Sequence, residues 1–368
     1  MAIADRLSIV RWTHVVPLLA IVALALTWGR DPAPVVVVVV AVFLGGAVMA
    51  AVHHAEVVAH RVGEPFGSLV LAVAVTVIEV ALIVTLMISG GPETASLARD
   101  TVFAAVMITC NGILGLSLLV GALHRRVATF NAEGTGTALA TVSTIATLSL
   151  VIPTFTTSRP GPEFSPAQLA FAAVASLALY GLFVVVQTVR HRDYFLPVTP
   201  EGVVADPDVE EHAPPPSKAA ALQSLALLVV ALVAVVGLAK IESPAIEDAV
   251  AAAGFPPSAV GVAIALLVLL PETVAAVRAA RCDRVQTSLN LALGSAMASI
   301  GLTIPAIAVA SIWLEGPLVL GLGATQMVLL AITVVVGALT VAPGRATLQE
   351  GGVHLVLFGA FLFLAVSP

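Results

Sequence analysis

"VLAVAVTVIEVALIVTL", residues 70–86, is an almost unbroken apolar run with one glutamate, Glu79, at its centre. A run this long and this apolar reads as a helix buried in lipid. A carboxylate in its middle reads as a working group, because ionisable residues at that depth are costly and need a partner, a proton or a cation. The rest of the chain extends both readings.

The chain has 368 residues, of which 59% are hydrophobic and 10% charged, and its mean hydropathy is +1.08. Soluble domains carry about 25% charged residues. The deficit places the chain in a membrane. Its net charge is −6. The acids gather in one segment and no basic face is expected, so nucleic acid is not an expected partner. The expected partners are membrane lipid and transported ions, with no cofactor. Two cysteines, Cys110 and Cys282, read as free thiols.

Eleven apolar stretches are candidate spans: 13–29, 34–52, 66–89, 100–123, 135–158, 166–189, 219–240, 256–278, 286–311, 316–341 and 351–367. The fold expected is an all-α membrane protein. Twelve of the 16 Lys and Arg lie on the side of the N-terminus. The positive-inside rule makes that side cytoplasmic, in the inner (plasma) membrane of the cell. The polar stretch 190–218, "RHRDYFLPVTPEGVVADPDVEEHAPPPSK", is a cytoplasmic linker with acids at Asp206, Asp208, Glu210 and Glu211. These acids do not have the spacing of an EF-hand.

Four segments follow: helix 1 in 1–33, a first half 34–189, the linker 190–218 and a second half 219–368. Each half has five helices, and an odd number forces opposite orientations, as in inverted repeats. The second helix of each half carries one deep glutamate, Glu79 or Glu272. The third carries a small and polar stretch, "ITCNGILGLSLLVG" or "SLNLALGSAMASIG".

No lysine or arginine lies deep enough to neutralise Glu79 or Glu272. Burial and mutual repulsion both favour protonation, while a divalent cation held by both removes both penalties. Protons and a cation therefore compete for the pair, which is the chemistry of a cation/proton exchanger. Calcium wants six to eight oxygens. Candidates are Thr109, Asn111 and Ser117 in one half, and Asn290, Ser295 and Ser299 in the other. For Ser295 and Ser299 helix packing is an equal reading. Ser288, Ser295 and Ser299 share a face, while Asn290, Gly294 and Gly301 form a small face suited to close packing. Pro271 precedes Glu272 and frees the Leu267 carbonyl, so irregular backbone is expected there.

At these residues the chain resembles a calcium/proton antiporter of the cation/calcium exchanger superfamily, in the bacterial branch that includes sodium–potassium/proton antiporters. The stretches that carry the likeness include "HRVGEPFGSLVLAVAVTVIEVALI", "PETVAAVRAARCDRVQTSLNLALGSAMASIGLTIPAIA" and "LTVAPGRATLQEGGVHLVLFGAFLFL". The resemblance implies an eleven-helix fold, an acidic linker, and Glu79 and Glu272 as the exchange site. Many relatives carry Gly-Asn-x-x-Glu in both repeats. Here Thr76 and Leu269 stand at the asparagine positions; Thr76 still offers a hydroxyl and Leu269 offers nothing.

Two further patterns stand out. His53, Glu56 and His60 share a helical face and read as an interfacial polar face, with a metal or pH-sensing site as the sharper alternative. Thr137, Thr141, Thr144 and Thr147 form a stripe that reads as hydrogen bonding across helices, with a water path as the alternative. The expected function is secondary active antiport, Ca2+/H+ first and Na+(K+)/H+ as the alternative. A channel fits a single pair of acids poorly. An intramembrane hydrolase fits the absence of deep aspartates poorly.

Overall fold

The computed structural model describes residues 2–30, 32–63, 66–90, 94–198, 215–313 and 316–368; the side chains at 2–11, 66–69, 89–90 and 124 lie outside that description. The acids of the linker, Asp206 to Glu211, also fall outside it.

Eleven helices account for most of the chain: α1 (Ala2–Thr27), α2 (Pro34–Val62), α3 (Phe66–Gly90), α4 (97–125), α5 (Ala132–Phe155), α6 (Pro166–Arg190), α7 (Lys218–Ala252), α8 (Ser258–Arg281), α9 (Val285–Ala310), α10 (Ala324–Val341) and α11 (Leu348–Val366). Ten of them are long and apolar enough to cross a membrane, among the described residues, and α1 contributes a shorter apolar run, Trp12–Thr27. A two-residue antiparallel ladder joins β1 (Ala128–Thr129) to β2 (Arg345–Ala346).

The chain forms two compact units. The first holds Met1–Thr94 and Ala213–Pro257, and the second holds Ala95–His212 and Ser258–Pro368. In the first, α2 packs against α1, α3 and α7. His54 of α2 is fully buried there; its ring nitrogens lie 3.0 Å from the Thr13 carbonyl of α1 and 3.3 Å from the Ser224 hydroxyl of α7. One imidazole thus ties three helices, with Nε2–H donating to the carbonyl and Nδ1 accepting from the hydroxyl.

In the second unit α4 is the central element. Of its most apolar stretch 89% is buried, and α9 follows with 61%. These are the two helices with the small and polar stretches, and small residues let backbones approach closely. A Cβ on Gly115 would sit 2.9 Å from the Cβ of His354, and one on Gly351 would sit 2.8 Å from the Leu119 backbone nitrogen. The contact of α4 with α11 therefore requires glycine on both sides. Gly301 likewise abuts Tyr180, but Gly294 meets nothing within 4 Å, so the small face of α9 packs closely at only one of its two glycines.

Several boundaries move from their sequence positions. The α2 helix runs on to Val62 and α7 to Ala252, beyond the expected ends at 52 and 240. The α10 helix starts only at Ala324, because 318–323 is extended chain whose Leu322 N–H bonds the Leu150 carbonyl at 2.8 Å. The irregular backbone expected at Pro271 does not occur: α8 is continuous from Ser258 to Arg281. It occurs instead in α4, α5 and α6, which contain π-helical turns at Ile108–Ile113, Thr147–Val151 and Val186–Arg190. A single turn of this kind absorbs one extra residue and is frequent at functional sites. Along α5, Thr141 and Thr144 donate to the carbonyls of Thr137 and Ala140, each at 2.8 Å. These bonds stay within one helix, which corrects the expectation of cross-helix bonding.

Candidate functional site

Glu79 belongs to the first unit and Glu272 to the second, so each half of the candidate site is built separately. Glu79 sits on α3 and is 3% exposed. Thr76, one turn earlier on the same face, is also buried. The neighbours of this turn, Ala74, Val75, Ile78, Leu82 and Ile83, are buried and apolar. The helix packs on α2 and α7. The sequence contains no Lys or Arg within Val70–Ile88.

Glu272 sits on α8 and is half-buried, as is Leu267. Leu269 is buried and apolar, and its carbonyl accepts from the Thr273 hydroxyl at 2.7 Å. The basic residues of this helix, Arg278 and Arg281, stand in its last turns. The helix packs on α4, on the π turn of α4 and on α9. Close approach is again set by glycine: a Cβ at Gly261 would lie 2.8 Å from the Thr101 nitrogen. A serine relay holds the turn after Glu272. The Ser288 hydroxyl of α9 lies 2.6 Å from both the Ala276 carbonyl and the Ser117 hydroxyl of α4. One hydrogen cannot serve both, so Ser288 donates to one of the two, the Ala276 carbonyl or Ser117, at a time. Ser117 is also 2.7 Å from the Ile113 carbonyl, its second possible acceptor.

Asn111 lies in the π turn of α4 and is fully buried. Its Nδ2 donates to Thr333 Oγ1 of α10 at 2.9 Å, and its Oδ1 lies 3.1 Å from Nδ1 of His354 on α11. Nε2 of His354 lies 3.2 Å from Thr340 Oγ1, and Thr333 reaches Met107 Sδ at 3.6 Å. One direction satisfies every link. Thr340 donates to His354, His354 Nδ1–H donates to Asn111, Asn111 donates to Thr333, and Thr333 donates to the thioether. The tautomer follows from this network. It joins α4, α10 and α11 through buried neutral groups.

The other sequence candidates take different places. Thr109 donates to the Ala105 carbonyl of its own helix at 2.7 Å. Asn290 is tied into structure: its Nδ2 donates to the Phe195 carbonyl at 2.6 Å and its Oδ1 accepts from Gln286 Nε2 at 2.8 Å. Ser299 is buried and Ser295 half-buried on α9. Glu56 and His60 are exposed on α2 while His53 is half-buried, its ring edge-on to His54 at 5.5 Å.

Sequence reasoning missed His354, Thr333 and Thr340, whose only mark is a polar residue inside an apolar run. It also missed Asp100, buried at the start of α4, where Arg99 Nε at 2.8 Å, Ser96 Oγ at 2.8 Å and Gln326 Nε2 at 3.2 Å all donate to its carboxylate. Arg99 also reaches the Gly321 carbonyl at 3.3 Å, so this cluster ties the 318–323 segment to α4.

Known proteins are similar to this chain in sequence and fold. The family model "Sodium/calcium exchanger protein" matches residues 32–189 and 223–367, one segment on each side of the linker. A protein of Sinorhizobium fredii named as an ionic transporter, y4hA, is 45% identical over 97% of this chain and 96% of its own length. The sodium-potassium/proton antiporter ChaA of Escherichia coli is 33% identical over 94% of this chain and 93% of its own. Among solved structures, that of the H+/Ca2+ exchanger CAX superposes with a TM-score of 0.70 at 15% identity, covering 98% of this chain and 89% of that one. That likeness is one of fold: eleven helices, with two inverted five-helix repeats after an extra N-terminal helix. The chain belongs to the sodium/calcium exchanger protein family, within the cation/calcium exchanger superfamily of membrane antiporters.

Proposed function

We propose that the protein is a secondary active cation/proton antiporter in which Glu79 and Glu272 take up cation and protons in competition. The observation that carries this reading is Glu79, a carboxylate 3% exposed in the middle of an apolar span with no basic residue in that span. Glu272 holds the matching place in the second half of the sequence. An ionised carboxylate in such surroundings must be compensated, and a proton and a cation are interchangeable compensations. Exchange by alternating access then follows: at each face, the ion that arrives releases the other.

In this reading 34–189 and 219–368 are the two repeats and 190–218 joins them at the cytoplasmic face of the inner membrane. Protons entering down their gradient drive the cation outward. Two glutamates that ionise together carry a charge of −2. One calcium ion neutralises both, which favours Ca2+/H+ exchange. Thr76 would add a hydroxyl, and Ser295, Ser299 and the Leu267 carbonyl further oxygens. Asn111 Oδ1 keeps one lone pair beyond its bond to His354.

A second reading, Na+(K+)/H+ exchange through the same residues, has its own support. The relative at 33% identity is named a sodium-potassium/proton antiporter, and Leu269 supplies no side-chain oxygen. Proton release from proteoliposomes, driven by calcium, sodium and potassium in turn, tests the proposal. Absence of release with every cation would overturn antiport itself.

A further inference from the structure

The α7 helix is 35 residues long, well beyond the span that ends at 240 in the sequence reading. The extra turns carry Glu242 into the helix, where it is 2% exposed. Its Oε1 has no hydrogen-bond partner, and it forms no ion pair among the described residues. The adjacent Ser243 is buried too, but its hydroxyl donates to Glu247 Oε1 at 3.0 Å. Glu242 therefore differs from the other carboxylates of this unit for which a contact is known: Glu247 accepts a hydrogen bond and Glu79 also interacts.

The charged groups around it are accounted for element by element. On α7, Lys240 lies over the Trp28 ring at 5.4 Å, on the exposed side of the helix, and Asp248 is exposed. Beyond α1 there is Arg30, also exposed. The first half of α2 has no titratable residue, and α3 has only Glu79. His14, His53, His54, Glu56, His60 and Arg61 belong to the other end of the unit. That end is marked by the His54–Ser224 contact, and Ser224 lies about 27 Å from Glu242 along the helix at 1.5 Å per residue. Asp31 and Glu93 are outside the described residues.

A buried carboxylate with no donor and no cation is stable only in its neutral form. A metal ion does not fit, since it wants several oxygens and the adjacent hydroxyl is committed to Glu247. The fitting ligand is a proton. A route to water lies beside it: Ile241, Pro244 and Ala245 of the same turn line a cavity with Trp28, Arg30 and Asp248, and aromatic and basic side chains such as the Trp28–Lys240 pair mark the membrane–water interface. Pro244, two residues on, offers no N–H to the Lys240 carbonyl, so α7 is least tightly bonded at this turn.

We infer that Glu242 is a third proton-binding carboxylate, separate from Glu79 and Glu272, which holds a proton in this conformation and yields it to water at the membrane face opposite the start of α7 at Lys218, so that the exchange rate responds to pH on that face. The step is a simple transfer: the carboxyl O–H bond breaks, the electron pair stays on the carboxylate, and the proton goes to water. The link to exchange rests on the antiport reading; the proton site does not.

The test has two arms. In the full chain carrying E79Q and E272Q, infrared difference spectroscopy across a pH rise should show loss of a protonated-carboxyl band, and adding E242Q should remove that band. In proteoliposomes with Glu79 and Glu272 intact, E242Q mimics the permanently protonated acid. Its rate should stay at the low-pH value of the unaltered protein as that face is made alkaline. A band that survives E242Q, or a pH profile that superposes on that of the unaltered protein, overturns the inference. If the unaltered protein shows no exchange while the band is still lost on E242Q, the antiport reading falls and the proton site stands.

Discussion

Asn111 Oδ1 and His354 Nδ1 lie 3.1 Å apart although 243 positions separate them in the chain. The bond crosses from the π turn of α4 to the second turn of α11. It is possible because Gly115 and Gly351 let those two helices approach closely. It also fixes a proton position: with Asn111 Nδ2 committed to Thr333, the histidine hydrogen must sit on Nδ1. The π turn that bears Asn111 packs against α8, so the network braces the helix that carries Glu272.

Breaking this link should therefore cost more than one hydrogen bond. Interhelical bonds in membranes are worth about 0.6 kcal/mol on average and about 1.7 at most. A buried partner left unsatisfied adds a penalty of about 1–3 kcal/mol. His354→Ala and Asn111→Ala should each lower stability by about 1–3 kcal/mol in detergent. The double variant should be less destabilised than the sum of the two, because neither member of the Asn111–His354 pair is then left without the other; Thr333 and Thr340 lose their partners in either case. Strict additivity in unfolding measurements would show that the two side chains are not coupled.

Glu79→Gln and Glu272→Gln should each abolish exchange while preserving the fold. The amide has the size of the protonated acid and leaves the packing of Ile78, Leu82 and Leu269 undisturbed. It can neither take up a proton nor neutralise a cation. Size-exclusion profiles and unfolding midpoints should match those of the unaltered protein. Full exchange activity in either variant removes that carboxylate from the mechanism.

Glu79 stands out in the sequence because a charge in an apolar run contrasts with everything around it, and the structure buries it. The helices could be read for the same reason. Their ends could not: "KIESPAIED" resembles a helix stop, yet packing against α1, α2 and α3 carries α7 through Pro244 to Ala252. Pro271 misled in the opposite sense, since a proline signals a lost N–H but not whether the backbone deviates. The π turn at Ile108–Ile113 has no signature in "ITCNGI", because it depends on how Asn111 meets Thr333 and His354 on distant helices. His54 and His354 were invisible as structural residues. A lone histidine in an apolar run looks the same whether it ties helices together or lines a pore.

The two cysteines report orientation. Cys282 is exposed, in the turn between α8 and α9, and Cys110 is buried in the π turn of α4. A membrane-impermeant maleimide should label the first and spare the second. With the N-terminal side cytoplasmic, labelling should require inverted vesicles or opened cells and should vanish in Cys282→Ser. Labelling of Cys282 in intact cells would reverse the topology and with it the direction of transport.

Cation preference and pH dependence are one question. In the mechanism proposed above protons and cations compete for the same carboxylates, and that fixes the sign: raising proton concentration must weaken apparent cation affinity. Calcium neutralises two ionised glutamates and displaces two protons, whereas one sodium or potassium ion leaves a charge of −1 or displaces only one proton. An uncompensated buried charge costs several kcal/mol after relaxation. Calcium affinity should therefore fall up to about a hundredfold per pH unit in the range where both acids titrate, and monovalent affinity up to about tenfold, the pair titrating as a coupled unit. Against calcium stands Leu269, which supplies no side-chain oxygen, and calcium suffers more from a missing ligand because it wants six to eight. Charge outweighs ligand count, since water or the Leu267 carbonyl can fill one position. The measurement is the half-saturating concentration of calcium, sodium and potassium for proton release from proteoliposomes at several alkaline pH values. Calcium should act at the lowest concentration and show the steepest pH slope. If sodium or potassium acts at lower concentration with the shallower slope, the altered coordination shell has prevailed over charge and the protein is a monovalent cation/proton antiporter.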